Sequence, residues 1–352
     1  MLESWEQLRG HAEQRALFQR SRAHNRLSHA YVFCGPDGIG KRQFAGLLAQ
    51  SLFCRSNSPD ELNVCGTCRA CRGFMAGSWP DFLEVRRPEG KSAIPIDLLV
   101  GADDRRGREG LCYELSMSPQ ASDRRIAIIN DAHFLQADGA NAILKTLEEP
   151  PAAALIILIC RDVDSLLPTI RSRCQVIRFF PLPDSDVASI LRHEGLVTDD
   201  SEATVIASMA EGSLTTAQQL LNPDLRKLKE TMSEQLQRLE KMEPLVIAHR
   251  MADELERLSS NTEEQRQNAQ WLLRFVADFL RFRLRKLTDG DLSDPLMLRL
   301  GVREGVDLLG PLLDRVVAAT RQIEANSPVR LVLEAFFDQF ARDIRMGPIS
   351  SR

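Results

Sequence analysis

The sequence has no apolar run approaching the roughly 18 residues that a membrane-spanning helix needs, which excludes helical transmembrane segments. No secretory leader is expected. The chain opens Met-Leu-Glu-Ser-Trp-Glu, without the basic start and apolar centre of a signal peptide, so a cytoplasmic protein is expected. There is no surplus of basic charge. Lys and Arg number 45 against 49 Asp and Glu, a formal net charge of -4, so overall charge does not draw the chain to nucleic acid. Any DNA contact must come from a local patch or through partners. No repeat of solenoid length is evident. What is present is ordinary for a globular protein: 352 residues, 43% apolar and 27% charged, enough for two or three domains.

The most informative stretch is 35–42, Gly-Pro-Asp-Gly-Ile-Gly-Lys-Arg. It follows an apolar run, Ala30 to Cys34, that reads as a buried strand. It precedes Phe44, Leu47 and Leu48 at helical spacing. Strand, glycine loop and helix are the setting of a phosphate-binding loop. Gly35, Gly38 and Gly40 would let backbone N–H groups turn around phosphate, and Lys41 would reach the β/γ-phosphates. The next position should be Ser or Thr, whose hydroxyl holds Mg²⁺. Here it is Arg42, which cannot ligate a metal and would repel one. A second departure lies at the end of the apolar run Ile126 to Ile129. Phosphate-loop ATPases carry Asp, often followed by Glu, at this place. This chain has Asn130 and Asp131. Both changes remove metal-binding chemistry from one candidate site, so a site that does not hydrolyse ATP is expected, with ATP binding weak or absent.

Eight cysteines in an apparently cytoplasmic chain point to metal or free thiols before disulfides. Four of them, Cys54, Cys65, Cys68 and Cys71, follow the pattern C-x10-C-x2-C-x2-C. Four thiolates in so short a span suit tetrahedral zinc, with Gly66 where a tight turn is needed. With all four positions filled by sulfur the site would be structural. The spacing also admits other thiophilic ions. Cys34 and Cys160 lie at strand ends and are most simply core residues.

Along the rest of the chain, 5–25 has apolar residues at helical spacing. His29 is expected to pack or face solvent rather than touch nucleotide, and the charged run 103–110 to form a solvated face. Strands alternate with helices up to Phe180, which predicts a parallel, doubly wound α/β sheet. Pro181-Leu182-Pro183 marks a hinge. Beyond it the reading is all-α, with long amphipathic helices at 225–239, 264–287 and 329–344 and a break at Asp289-Gly290. The basic stretch 274–286 is expected to be a solvated helix face, and Trp271 a core or interface anchor. The predicted domains are 1–181, containing the cysteine module at 54–71, then 182–222 and 223–352.

In this order, four pieces resemble the clamp-loader branch of the AAA+ ATPases. They are the loop at 35–42, the cysteine module after its helix, the Thr-Leu-Glu-Glu-Pro-Pro run from Thr146 to Pro151, and Ser172-Arg173-Cys174. The last two are specific to that branch. The resemblance implies an AAA+ P-loop domain with an inserted zinc module, a small helical lid domain and a C-terminal helical collar domain. It further implies a hetero-oligomer with gamma/tau and delta subunits that opens the sliding clamp and loads it on primed DNA. The working motors of the branch carry Ser or Thr at position 42 and an acidic pair at 130–131. They also carry a polar first-sensor residue where this chain has Cys160. Their second-sensor Gly-x-x-Arg is replaced here by Gly212-Ser213-Leu214-Thr215. A non-hydrolysing, stator-type subunit is therefore expected, with Arg173 acting in trans as an arginine finger on a neighbour. The alternatives are a divergent gamma/tau-type motor and an unrelated zinc-module DNA-binding protein.

Overall fold

The computed structural model describes residues 4–56, 62–88, 91, 93–237, 243–288 and 295–346. The end of the helix anticipated at 225–239, the Asp289-Gly290 break and part of the module between Cys54 and Cys65 lie outside the described residues.

Five strands, β1 (Ala30–Cys34), β2 (Phe82–Val85), β3 (Arg125–Ile129), β4 (Ala154–Cys160) and β5 (Gln175–Arg178), form one sheet in the order β2-β3-β4-β1-β5. Every pairing is parallel. Strands β1, β3 and β4 are buried at every residue. That is why they read as unbroken apolar runs, as strands covered on both faces do. Their side chains still alternate. Tyr31, Phe33, Ile126, Ile128, Ile157 and Ile159 enter one core layer; Val32, Ala127, Ile129, Ile156 and Leu158 enter the other.

Helices cover both faces. They are α1 (Ala12–Ala23), α2 (Lys41–Phe53), α3 (Arg69–Met75), α4 (Asp97–Val100), α5 (Leu111–Ser116), α6 (Ala137–Glu148) and α7 (Pro168–Arg171). Phe18, Phe44, Leu47 and Phe74 fill the first layer. Leu111, Leu115, Ile143 and Leu147 fill the second. The structure therefore has the doubly wound parallel sheet expected of the α/β part.

The segment 5–25 is not one helix. Gly10 (φ 72°) and His11 (φ 60°) adopt left-handed backbone and delay α1 to Ala12. Trp5 is buried instead, with its indole N–H donated to Ser51 Oγ at 2.9 Å.

Three further helices, α8 (Asp184–His193), α9 (Asp200–Ala210) and α10 (Leu214–Gln219), follow the sheet. The chain divides into two compact units between Gln218 and Gln219, so 182–218 shares the first unit with the sheet. A hydrogen bond from Leu214 N–H to Gly38 O at 2.8 Å ties α10 to the loop before α2.

The second unit, 219–352, is helical among the described residues. It comprises α11 (Pro223–Gln237), α12 (Pro244–Leu258), α13 (Thr262–Thr288), α14 (Pro295–Glu324) and α15 (Val329–Met346). α13 packs on α11 and α14, and α12 on α15. Their shared core includes Met251, Leu272, Val276, Leu312, Phe337 and Phe340. The basic stretch on α13 is only partly solvated. Arg283 is buried with its guanidinium 4.5 Å from the Phe279 ring centroid, whereas Arg281 is half exposed beside Asp278. The 3.6-residue period carries Arg283 inward, a position that a count of charges does not reveal. Among the described residues no helix is long and apolar enough to cross a membrane.

Candidate functional sites: a filled phosphate loop, a cysteine cluster and an exposed arginine

The loop 35–40 joins β1 to α2, whose first residue is Lys41. Gly38 (φ 74°) is required twice over. Its backbone is left-handed, and an added Cβ would stand 2.4 Å from Ser213 Oγ and 2.7 Å from Thr215 N. Gly38, Lys41, Arg42, Asn130, Asp131 and Thr215 line a cavity of about 260 Å³. Small-molecule sites typically start at roughly 300 Å³. The residues expected to form a nucleotide site are thus brought together, and helix α10 closes over them.

Two cationic side chains of the lining are engaged by protein. Lys41 is buried and donates to Gly35 O at 2.7 Å and Pro36 O at 2.6 Å, the carbonyls of its own loop. Burial lowers its pKa below the usual lysine value, while Asp37, at 4.0 Å, acts in the opposite direction. An incoming phosphate would have to replace two charge-assisted hydrogen bonds, each worth roughly 1.5–3 kcal/mol. Arg42 turns to β2 and grips Glu84 with two prongs, Nε to Oε1 at 2.6 Å and Nη2 to Oε2 at 2.9 Å. Glu84 also lies 3.5 Å from Arg86. The charge of Glu84 is therefore balanced by two arginines. Gly35 N–H bonds to Cys160 O at 3.3 Å and to Arg161 O at 3.1 Å, so this loop amide too is engaged. Asp131 holds left-handed backbone (φ 54°) at the start of a short 3₁₀ turn, and Asn130 follows the end of β3. Cys160 lines the same cavity, and burial pushes its thiol up to about 12.

Glu84 was not among the residues expected from the sequence to form this site. The signal was present: an acidic residue one position from the end of a parallel strand, where side chains reach the loop end of the sheet.

The four cysteines of the module converge. Their Sγ atoms all lie within 4.8 Å of one another. Tetrahedral zinc with Zn–S near 2.3 Å requires sulfurs about 3.8 Å apart. Cys65 Sγ and Cys71 Sγ are 3.9 Å apart. Backbone N–H groups point at sulfur, Cys68 N to Cys65 Sγ at 3.3 Å and Cys71 N to Cys68 Sγ at 3.4 Å, as thiolate ligands require. Burial raises the Cys65 pKa, but bonds from Ser56, Cys68 and Thr67 outweigh it and bring the thiol to about 5. Gly66 takes the left-handed turn (φ 70°) between the second and third cysteines. The donor set fits a metal such as zinc. Cys68 also caps α3, which carries Cys71.

Ser172, Arg173 and Cys174 form the turn between α7 and β5. Cys174 packs against the second core layer, and burial pushes its thiol up to about 12. Arg173 stays about one-third exposed. Its Nη1 donates to Thr169 O at 2.9 Å and Ser172 Oγ at 3.2 Å, and its Nη2 lies 2.6 Å from Glu148 Oε1. His29 bonds Leu147 O at 3.1 Å and so packs against α6. The run 103–110 is exposed, with an Arg105–Glu109 ion pair at 2.9 Å.

Parallel sheet order, a loop of phosphate-binding form and a helical segment closing on that loop define a doubly wound α/β protein of the phosphate-loop type. Comparison with known proteins narrows this. Residues 10–183 match the family described as "DNA polymerase III, delta subunit". The chain is 28% identical over 334 residues to the DNA polymerase III subunit delta' of Pseudomonas aeruginosa, covering 93% of this chain and 96% of that protein. It is 37% identical over 158 residues to the delta' subunit of Bacillus subtilis, covering 45% of this chain and 44% of that one. It is 32% identical over 213 residues to the tau subunit of Bacillus subtilis, covering 59% of this chain but only 34% of that protein. Over residues 10–183 the chain is similar to that DNA polymerase III subunit family, and over nearly its whole length it is similar to a delta' subunit.

Proposed function

We propose that this chain is a clamp-loader subunit that does not hydrolyse ATP and that helps open the sliding clamp and load it on primed DNA. In this reading its partners are gamma/tau and delta subunits. The segment 182–222 serves as the lid domain and 223–352 as the collar that holds the assembly together. The cysteine module binds zinc in a structural role. The observation that carries the reading is the engagement of both cationic side chains of the phosphate loop by protein. Lys41 is spent on Gly35 O and Pro36 O, and Arg42 on Glu84, where an active site would hold phosphate and Mg²⁺. Arg173 supplies the chemistry to a neighbour instead. A guanidinium inserted beside a transferring γ-phosphoryl stabilises its developing charge, an effect of about 10³–10⁵ in rate where such fingers act.

The similarity to tau supports a second reading, a gamma/tau-type motor. The two part on ATP turnover by the purified chain alone with Mg²⁺. No turnover is expected, with weak or absent binding. Turnover abolished by Lys41→Ala would make the chain a motor and overturn the stator reading.

A further inference from the structure

We infer that Glu148 is a positioning residue for Arg173: its carboxylate sets the orientation in which the guanidinium meets a neighbouring subunit's nucleotide. The inference rests on the reading of Arg173 as a finger and extends it to a residue from a different element.

A guanidinium has five N–H donors in one plane. Two bonds, from Nη1 to Thr169 O and Ser172 Oγ, come from the arginine's own turn and would move with it. The contact to Glu148 at 2.6 Å comes from the end of α6, 25 residues earlier in the chain. It is the contact that refers the guanidinium to the body of the sheet domain. Three donors are thereby used, and Nε–H with one further N–H remain for an acceptor such as phosphate oxygen.

The backbone that carries the carboxylate is itself firmly placed. Glu148 is the last residue of α6, and Pro150 and Pro151 follow, which a helix cannot incorporate without losing hydrogen bonds. Leu147 beside it is 1% exposed, and its carbonyl accepts from His29. The other side of the pair is held as well, by buried Ile170 and by the Arg173 N–H bond to Ile170 O at 3.1 Å. Two pinned backbones therefore meet through one ion pair. An exposed pair of this kind contributes at most about 1 kcal/mol to stability, so geometry is the larger effect of its presence. Arg171 offers an internal control. It lies two residues from Arg173 and pairs with Asp164, within the same local turn.

The test is steady-state ATPase of the complex reassembled from this chain with its gamma/tau and delta subunits, clamp and primed DNA. Assembly is checked by gel filtration. Glu148→Ala is expected to lower kcat on the order of ten- to a hundredfold, as a misplaced catalytic group does, and to leave KM for ATP unchanged. Glu148→Gln, which keeps a hydrogen-bond acceptor, should recover part of the loss. Glu148→Ala combined with Arg173→Ala should be no slower than Arg173→Ala alone, and Asp164→Ala should match wild type. Wild-type kcat in Glu148→Ala beside an impaired Arg173→Ala would overturn the positioning role and leave the finger standing. A faster Glu148→Ala would also overturn it, since Glu148 would then restrain Arg173. Wild-type rates in Arg173→Ala would remove the finger reading and this inference with it. Should the alanine variant fail to assemble, Glu148→Gln decides in its place: a kcat between those of wild type and Arg173→Ala supports the role, and wild-type kcat overturns it.

Discussion

The phosphate loop and the cysteine module lie in the same compact unit and treat polar atoms in opposite ways. At the loop the two cationic side chains and the first amide have protein acceptors: Lys41 its own carbonyls, Arg42 the carboxylate of Glu84, Gly35 N–H the end of β4. At the module four sulfurs are crowded within 4.8 Å with N–H groups aimed at them. Thiolates so close repel one another unless a cation sits between them. A site that has completed its own bonds has little to offer a ligand. A site that gathers like-charged donors needs one. The two regions therefore predict opposite responses when a ligand, or a closing side chain, is removed.

The largest effect is expected at the module. The purified chain should carry one zinc by elemental analysis. Stripping it with a strong chelator, or Cys71→Ala, should lower the melting temperature by about 10 °C or more, because binding energy at such sites is folding energy. A metal-free chain that melts unchanged would break the contrast between the two regions.

Next comes a pair closed on protein in the same way as the loop, but deeper. Asp81, 0% exposed, lies 3.7 Å from Arg125, 1% exposed. It accepts from Ser122 Oγ at 2.6 Å and from the N–H groups of Gln120, Ala121 and Ser122 at 2.7–2.8 Å. Burial raises its pKa, but those bonds prevail and hold the carboxyl below the usual aspartate range. A carboxyl whose folded pKa is depressed stabilises the fold above its unfolded value, near 3.9, and loses that contribution as pH falls through the folded value. Asp81→Ala should cost about 3 kcal/mol at neutral pH, since it leaves the Ser122 hydroxyl and three backbone N–H groups without their acceptor, while Arg125 keeps its bonds to Glu114. Denaturant titrations should show the difference from wild type shrinking towards acid pH. A constant gap down to acid pH would count against the assignment of this carboxylate.

The smallest effect is expected at the loop itself. Arg42→Ser restores a metal-ligating hydroxyl and releases Glu84. Arg42 is 40% exposed, so screening limits the stability loss to about 1 kcal/mol. Turnover should remain at background, because Asn130 and Thr215 are unchanged. Robust Mg²⁺-dependent hydrolysis by Arg42→Ser alone would show that Arg42 was the sole block and that the rest of the site is competent.

The sequence was informative where a residue's type alone limits its chemistry. Arg42 cannot hold Mg²⁺ in any conformation, and three cysteines at two-residue gaps, with a fourth a ten-residue gap ahead, are confined by chain length to one neighbourhood. Strand burial was legible for a related reason. β1, β3 and β4 are covered on both faces, so their composition is apolar apart from the paired Arg125 at the start of β3, and parallel pairing followed from the intervening helices. Two sequence expectations changed for local reasons. The period over 5–25 continued through Gly10 and His11, whose backbone leaves the helix, and Arg283 belonged to a basic stretch yet points into the helical unit.

Only the tertiary structure decided which partners the charges take. Glu84 is 42 positions from Arg42, and Glu148 is 25 from Arg173. No local rule links such positions, because ion pairing depends on how strands and helix ends are brought together. The sequence by itself determined that position 42 offers no metal-ligating hydroxyl, that four cysteines lie close enough along the chain to share a metal and that an α/β sheet precedes a helical region. The fold determined that Lys41 and Arg42 close the phosphate loop from within, and that Arg173 is held by the end of α6. Residue identity limits the bonds that a side chain can make. Packing selects which of those bonds form.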